Sequence, residues 1–278
     1  MFHRCVVALL FSITLPCAVD WPNQRGPTLD GAIPAGSVLP TTLPDAPKVL
    51  WKGPVTDGFA APIVVAGKVV YLDLQNGQET VHCLTFDKAK PLWDAPLDIA
   101  HKDGFGTGPR CAPVSDGKLV FAQSCKGQLT CFALDSGKVV WSTNYVKDFG
   151  AIYIGEKGDA KGGSRHGYNG SPTLDGDRLY ALASGPGAGV VCFDKSTGKV
   201  IWKSQDDQAA YSPPEVATIA GVKQVVCFTV LGALGVAAAD GALLWRVPLT
   251  TNYGRHVMAP IVHGDLVIVG SHEVGLVA

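Results

Sequence analysis

Charge of either sign is scarce in this chain. Its 278 residues include 23 Lys and Arg against 24 Asp and Glu, 17% charged in all, for a formal net charge of −1. With no basic excess and no acidic tail, nucleic acid is not expected as a partner. No apolar pattern of period 3.6 persists for long, which argues against a helical protein. Apart from residues 5–15 the chain has no long apolar run, so no transmembrane helix is expected in the mature protein. The catalytic signatures G-x-S-x-G and H-E-x-x-H are missing, and so is any C-x-x-C spacing for a metal or redox pair.

Glycine (33) and proline (19) are plentiful instead, as expected of many tight turns between short buried strands. The opening MFHRCVVALLFSITLPCAVDW reads as a secretory signal peptide over residues 1–18, so an exported protein is expected, in the periplasm or outside the cell. Pro16 directly before Cys17 argues against a lipid anchor. Of the eight cysteines, Cys5 and Cys17 lie in that leader. Cys83, Cys131 and Cys192 fall at equivalent inward strand positions, too far apart to bridge, and are expected as small buried hydrophobes. Pairing of Cys111, Cys125 and Cys227 is left open.

The organising signal is a repeat. FALDSGKVVW ends at Trp141, FDKSTGKVIW at Trp202, TFDKAKPLW at Trp93 and AAADGALLW at Trp245, with Asp135, Asp194, Asp87 and Asp240 a few residues earlier. Although KSTGK resembles a phosphate loop, Val200 follows Lys199 where a P-loop needs a hydroxyl, so the stretch reads as a turn. Upstream of each Trp stands a small residue and a proline, at Pro62, Pro113, Pro172 and Pro214. Between them run four short strands: an all-β propeller of four-stranded antiparallel blades follows. The blades are expected at about 54–93, 105–141, 165–202, 207–245 and 254–278, the last incomplete, within a domain 47–278 that an extended segment 19–46 precedes. Trp51 is read as a final strand lacking its three predecessors. Four to five blades are thus present, and a fragment of an eight-bladed ring is favoured over a closed five-bladed one. Each Asp is expected to cap its turn, Gly to supply positive φ, and each Trp to pack between blades.

These units resemble the pyrroloquinoline-quinone (PQQ) propeller repeat, A-x-D-x-x-T-G-x-x-x-W, of quinoprotein alcohol dehydrogenases and BamB. DWPNQRGPTLDG, VKDFGA and AAYSPPEVATIAGVKQVVCF are similar to stretches of exported bacterial proteins of that type. The resemblance implies the fold and leaves activity open, since one repeat serves enzymes and non-enzymes. It implies PQQ and calcium as cofactors should the chain be a dehydrogenase. The vicinal Cys pair of that group is absent, and no Glu/Asn/Asp calcium set can be placed. Asp57, Asp103, Glu215 and Glu273 are base candidates without support.

Connections into the innermost strands should gather at the central channel. GFGTGPRCAP, SRHGYNGSP and YGRHVMAP would bring Arg110, Arg165, His166, Arg255 and His256 to one rim, either satisfying loop carbonyls and snorkelling there, which is the preferred reading, or suited to an anionic ligand. Tyr145, Phe149, Tyr153 and Tyr168, in the long connection from Trp141 to Pro172, are expected as aromatic contact surface. Truncating Arg110 or Arg255 should then leave stability nearly untouched. The expectation is a binding or scaffold module of the cell envelope, without catalysis of its own, directed at an envelope protein or a small anion. The alternative is a PQQ- and calcium-dependent alcohol or polyol dehydrogenase.

Overall fold

A computed structural model describes residues 19–37, 42, 45–46 and 48–278; the expected leader 1–18 lies outside the described residues. Short apolar runs broken by Gly and Asp turns form sheets in chain order, each strand hydrogen-bonded antiparallel to the next. The first sheet comprises β1 (Ile63–Val65), β2 (Lys68–Gln75), β3 (Gln78–Thr85) and β4 (Pro91–Ile99). A small hairpin, β5 (Lys102–Asp103) and β6 (Gly106–Thr107), leads to the second: β7 (Val114–Ser115), β8 (Leu119–Gln123), β9 (Gln128–Ala133) and β10 (Val139–Asn144). Two single-turn helices, α1 (Tyr145–Phe149) and α2 (Gly162–His166), precede the third: β11 (Thr173–Asp175), β12 (Arg178–Gly185), β13 (Ala188–Asp194) and β14 (Val200–Ser204). The fourth holds β15 (Glu215–Ile219), β16 (Val222–Thr229), β17 (Gly232–Ala237) and β18 (Leu243–Pro248). The last holds three strands, β19 (Ile261–His263), β20 (Leu266–Ser271) and β21 (Gly275–Val277). This is the all-β blade architecture expected from the repeat.

The core lies between sheets. One apolar cluster joins the second, third and fourth around Phe121, Leu179, Phe193 and Leu234, and another joins the first and second around Val70, Val81 and Phe132. First strands neighbour one another, β11 lying against both β7 and β15, as around a propeller axis.

The Trp repeat acquires a physical reason here. Four of the indole N–H groups donate to the carbonyl just after the third strand of the next blade: Trp51 to Phe86 (2.8 Å), Trp93 to Leu134 (2.8 Å), Trp141 to Lys195 (2.8 Å) and Trp202 to Ala238 (3.1 Å). The ring covers the glycine of that blade's turn. A Cβ on Gly198 would come within 2.6 Å of the Trp141 ring, and Gly137 and Gly241 stand likewise beneath Trp93 and Trp202. Gly198 also has φ 71°, so its turn demands glycine twice over. Trp245 differs, donating to Gln224 of its own sheet (2.7 Å).

The aspartates divide. Asp194 accepts from the Ser196 and Thr197 amides (3.1 and 2.8 Å) and Asp240 from that of Ala242 (3.0 Å), as Asx turns require. Asp135 instead reaches the neighbouring blade's Lys68 at 3.1 Å, and Asp87 is exposed in a turn that holds Ala89 at φ 51° where the other copies have glycine. Cys83, Cys111, Cys125, Cys131, Cys192 and Cys227 are all free and buried.

Candidate functional site

The connections into β7, β11, β15 and β19 and the segment before β1 build one cleft of about 460 Å³, lined by Arg25, Phe105, Arg110, His166, Tyr211 and Arg255 among others. Its floor is organised by Asp103, whose side chain is 2% exposed. The β5–β6 hairpin carries this residue, and five donors converge on it. The Arg110 guanidinium binds it bidentately (2.8 and 2.7 Å), Phe105 gives its amide (2.8 Å), and His101 Nε2 and His166 Nδ1 lie at 3.0 and 2.8 Å. Burial alone would raise the carboxyl's pKa, but Arg110 and then the other donors outweigh it and hold it well below the usual carboxylate range. An ionised carboxylate with its lone pairs taken is no general base; Asp103 is a positioning residue.

The outer nitrogens of the two imidazoles complete the wiring. His101 Nδ1 meets the Tyr153 hydroxyl at 2.8 Å, and His166 Nε2 accepts from Arg165 Nε at 3.2 Å. Arg165 donating to Nε2 leaves His166 to donate to Asp103 through Nδ1, and His101 is read in the same way, donating through Nε2 and accepting from Tyr153. For His101, burial lowers the pKa and reinforces that assignment.

Arg255 is different in kind. Its guanidinium stacks over Tyr253 (4.6 Å) and Phe105 (5.6 Å), and its Nε is buried without a partner. Among the described residues no carboxylate lies within ion-pair distance of Arg255 or Arg165. A cation–π stack fixes the guanidinium while leaving its donors unspent.

Of the expected rim residues, Arg110, His166 and Arg255 line the cleft, and Arg165 stands behind His166, stacked on Tyr253 at 5.2 Å. His256 is not among the lining residues. It is 0% exposed, stacked on Phe228 at 4.1 Å with both ring nitrogens unpartnered, and burial lowers its pKa. Tyr145 and Tyr168 are core residues (0% and 4% exposed) rather than contact surface, since their rings fill the space between the second and third blades. Arg110 is committed to a buried carboxylate, so its truncation is expected to cost stability, contrary to the sequence expectation. Sequence reasoning missed Arg25 and His101, because single residues in irregular loops carry no periodicity, and it took Tyr153 for contact surface where the structure pairs its hydroxyl with His101. Glu79, also missed, is fully buried under the same loop, accepting from the His101 and Cys125 amides (3.4 and 3.2 Å), and burial pushes its pKa up to about 7.

A family model described as outer membrane protein assembly factor BamB matches residues 77–278. The chain belongs to that family. No curated protein matches it. Among solved structures, BamB from Moraxella catarrhalis is 16% identical over 81% of this chain and 74% of its own, with a TM-score of 0.48. A europium-containing methanol dehydrogenase is 13% identical over 69% of this chain and 51% of its own (TM-score 0.44). The quinohemoprotein alcohol dehydrogenase ADHIIG from Pseudomonas putida HK5 is 15% identical over 79% and 40% (TM-score 0.46). The chain thus spans about half or less of these dehydrogenases, and at such identities the likeness is one of fold.

The resemblance of the repeat to the PQQ propeller raises the question whether PQQ and calcium fit here. Arg255 suits an organic carboxylate. The calcium half does not fit: Asp103 is spent on its donors, Glu215 faces Arg25 at 2.7 Å, and no cluster of three or more His, Cys, Asp or Glu able to hold a metal occurs among the described residues.

Proposed function

We propose that this chain is an exported, non-catalytic binding module of the cell envelope, and that its cleft holds a small organic anion. The observation that carries the reading is Arg255, a guanidinium fixed between Phe105 and Tyr253, facing the cleft with no carboxylate of its own. The volume falls in the range of small-ligand sites, and the walls mix apolar Tyr211, Pro213 and Val257 with a few convergent donors. Asp103 supplies no proton and no nucleophile; it anchors Arg110 and the two imidazoles so that the donors stay aimed. Localisation to the periplasm or the cell exterior belongs to this proposal. No described helix is long and apolar enough to cross a membrane.

An envelope-protein partner is supported by exposed Phe59, Phe105 and Tyr253 beside the arginines, aromatic and Arg anchors of the sort that dominate interfaces.

Calorimetric titration with citrate, quinoline-2,4-dicarboxylate and PQQ, each with and without calcium, tests the anion reading. Saturable, salt-sensitive binding that weakens about tenfold or more in Arg255→Ala is expected. Failure of all three to bind folded protein, or an unchanged affinity in Arg255→Ala, would overturn it. PQQ binding that required calcium would instead favour the quinoprotein dehydrogenase and justify an alcohol panel with an artificial acceptor.

A further inference from the structure

The segment before β1 runs across several blades. Trp21 pairs with Val64 of β1 through both backbone groups (2.6 and 3.0 Å), Asp20 accepts from the Ala66 amide (3.0 Å), and the Pro22 carbonyl accepts from Ser115 of β7 (2.9 Å). Pro27 and Leu29 then line one cavity with Pro172 and Thr173, before and in β11, and Arg25 reaches Glu215 of β15 at 2.7 Å. Residues 20–30 are thus a strap that crosses four successive blades, bonded at the innermost strands β1, β7 and β15 and facing β11 across a cavity. Its turn is tightly specified. Asn23 accepts from the Arg25 amide (2.8 Å) and donates to the Gly26 carbonyl (2.6 Å). Gly26 has φ 77°, and a Cβ there would meet the Trp21 ring at 2.8 Å. The strap therefore presents Arg25 at a fixed place, and that place is the wall of the anion cleft.

The side chain is nonetheless turned to an internal carboxylate. Its partner Glu215 is only 14% exposed, while Arg25 is 28% exposed and lines the cleft. We propose that Arg25 is a ligand-binding residue held in reserve by Glu215, and that an anion entering the cleft exchanges with Glu215 for its guanidinium and loosens the strap from the fourth blade. The inference rests on the anion reading above and deepens it, naming the ligand class as one with at least two separated anionic groups, one for Arg255 and one for Arg25. A single carboxylate satisfies Arg255 and leaves the internal pair intact.

Exchange strands Glu215 in a buried site. Burial already raises its pKa against the opposing pull of Arg25, and Asp30 of the strap raises it further. From the packed elements, β16 sets Val226 opposite it, and Asp175 of β11 is held by Lys223 at 2.5 Å. Losing Arg25 therefore favours proton uptake by Glu215.

The test is calorimetry of the whole mature chain with citrate and quinoline-2,4-dicarboxylate against acetate and benzoate. Each is run in two buffers of different ionisation enthalpy, on wild type, Arg25→Gln and Glu215→Gln, with thermal melts confirming that each variant is folded. The two substitutions should act in opposite directions: Arg25→Gln weakens the polycarboxylates about tenfold, and Glu215→Gln, which frees Arg25, tightens them about threefold. Wild type should take up protons on binding citrate and Glu215→Gln should not. Polycarboxylate binding that both variants leave unchanged, or shift in the same direction, would overturn the exchange while leaving the anion reading intact. Monocarboxylates binding as tightly as polycarboxylates would do the same. Absence of binding by any probe would remove both.

Discussion

Replacing Trp141 by alanine tests the inter-blade logic where it is most complete. The side chain is 9% exposed, its ring lies 6.0 Å from Phe193 at 23° and 5.9 Å from Phe121, and its N–H binds Lys195 of the next blade. Truncation of a buried Trp costs about 3–5 kcal/mol, because Gly198 beneath it cannot fill the space and the surrounding rings relax only partly. The orphaned Lys195 carbonyl adds about 1 kcal/mol unless water reaches it. Trp51 is the internal control, since it makes the same bond to Phe86 at 2.8 Å but is only half-buried, and the turn after Phe86 carries Ala89 where the other copies have glycine. Its truncation should cost about 1–2 kcal/mol, mostly the hydrogen bond and part of the ring's burial. Urea denaturation followed by far-UV circular dichroism would show a lowered midpoint with an unchanged slope. If Trp141→Ala lies within about 1 kcal/mol of wild type, or costs no more than Trp51→Ala, the anchoring argument is wrong.

Arg110→Ala leaves Asp103 buried with its main counter-charge gone and should destabilise by about 3 kcal/mol, whereas Arg255→Ala loses only stacking, under about 1 kcal/mol, in the same denaturation assay. Glu79 keeps its proton to about pH 7 when folded but releases it near 4.5 when unfolded, so the native state binds more protons across that window and stability falls as pH rises through it. The full loss is about 3 kcal/mol, complete above pH 7, and the difference between wild type and Glu79→Gln should change by that order between pH 4.5 and 8. Burial pushes the Cys83 and Cys192 thiols up to about 11 and Cys131 to about 12, so a disulfide reagent should label the described cysteines only after denaturant is added. Rapid labelling of the native protein would contradict their burial.

The blades were legible because they repeat. Asp, Gly and Trp return at fixed offsets when one turn and one anchor are rebuilt in every copy, and a single chain then holds its own comparison set. Trp93, Trp141 and Trp202 carry that signal because each meets the same carbonyl in the next unit. The departures were legible only as blanks. Nothing in AAADGALLW says that Trp245 turns to Gln224, nor in TFDKAKPLW that Ala89 adopts the conformation its counterparts reserve for glycine.

The cleft obeys the opposite rule. Its residues come from connections that differ from copy to copy, so placing five cations at one rim used the topology alone and could not separate Arg110 from Arg255. What separates them is a carboxylate. Asp103 sits in a two-residue strand of a hairpin that the other blades lack among the described residues, and once it is placed Arg110 is spent on a carboxylate while Arg255 keeps an unpartnered Nε. Arg25 stands between these cases, paired as Arg110 is but with a partner whose burial works against the pair rather than being overcome by it. A cation held by a carboxylate with five donors is fixed, and a cation held by a buried carboxylate with only that cation can be traded for an incoming anion. The proposed rank order of the three arginines in ligand binding, Arg255 first, Arg25 second and Arg110 last, rests on their partners rather than on their positions in the repeat.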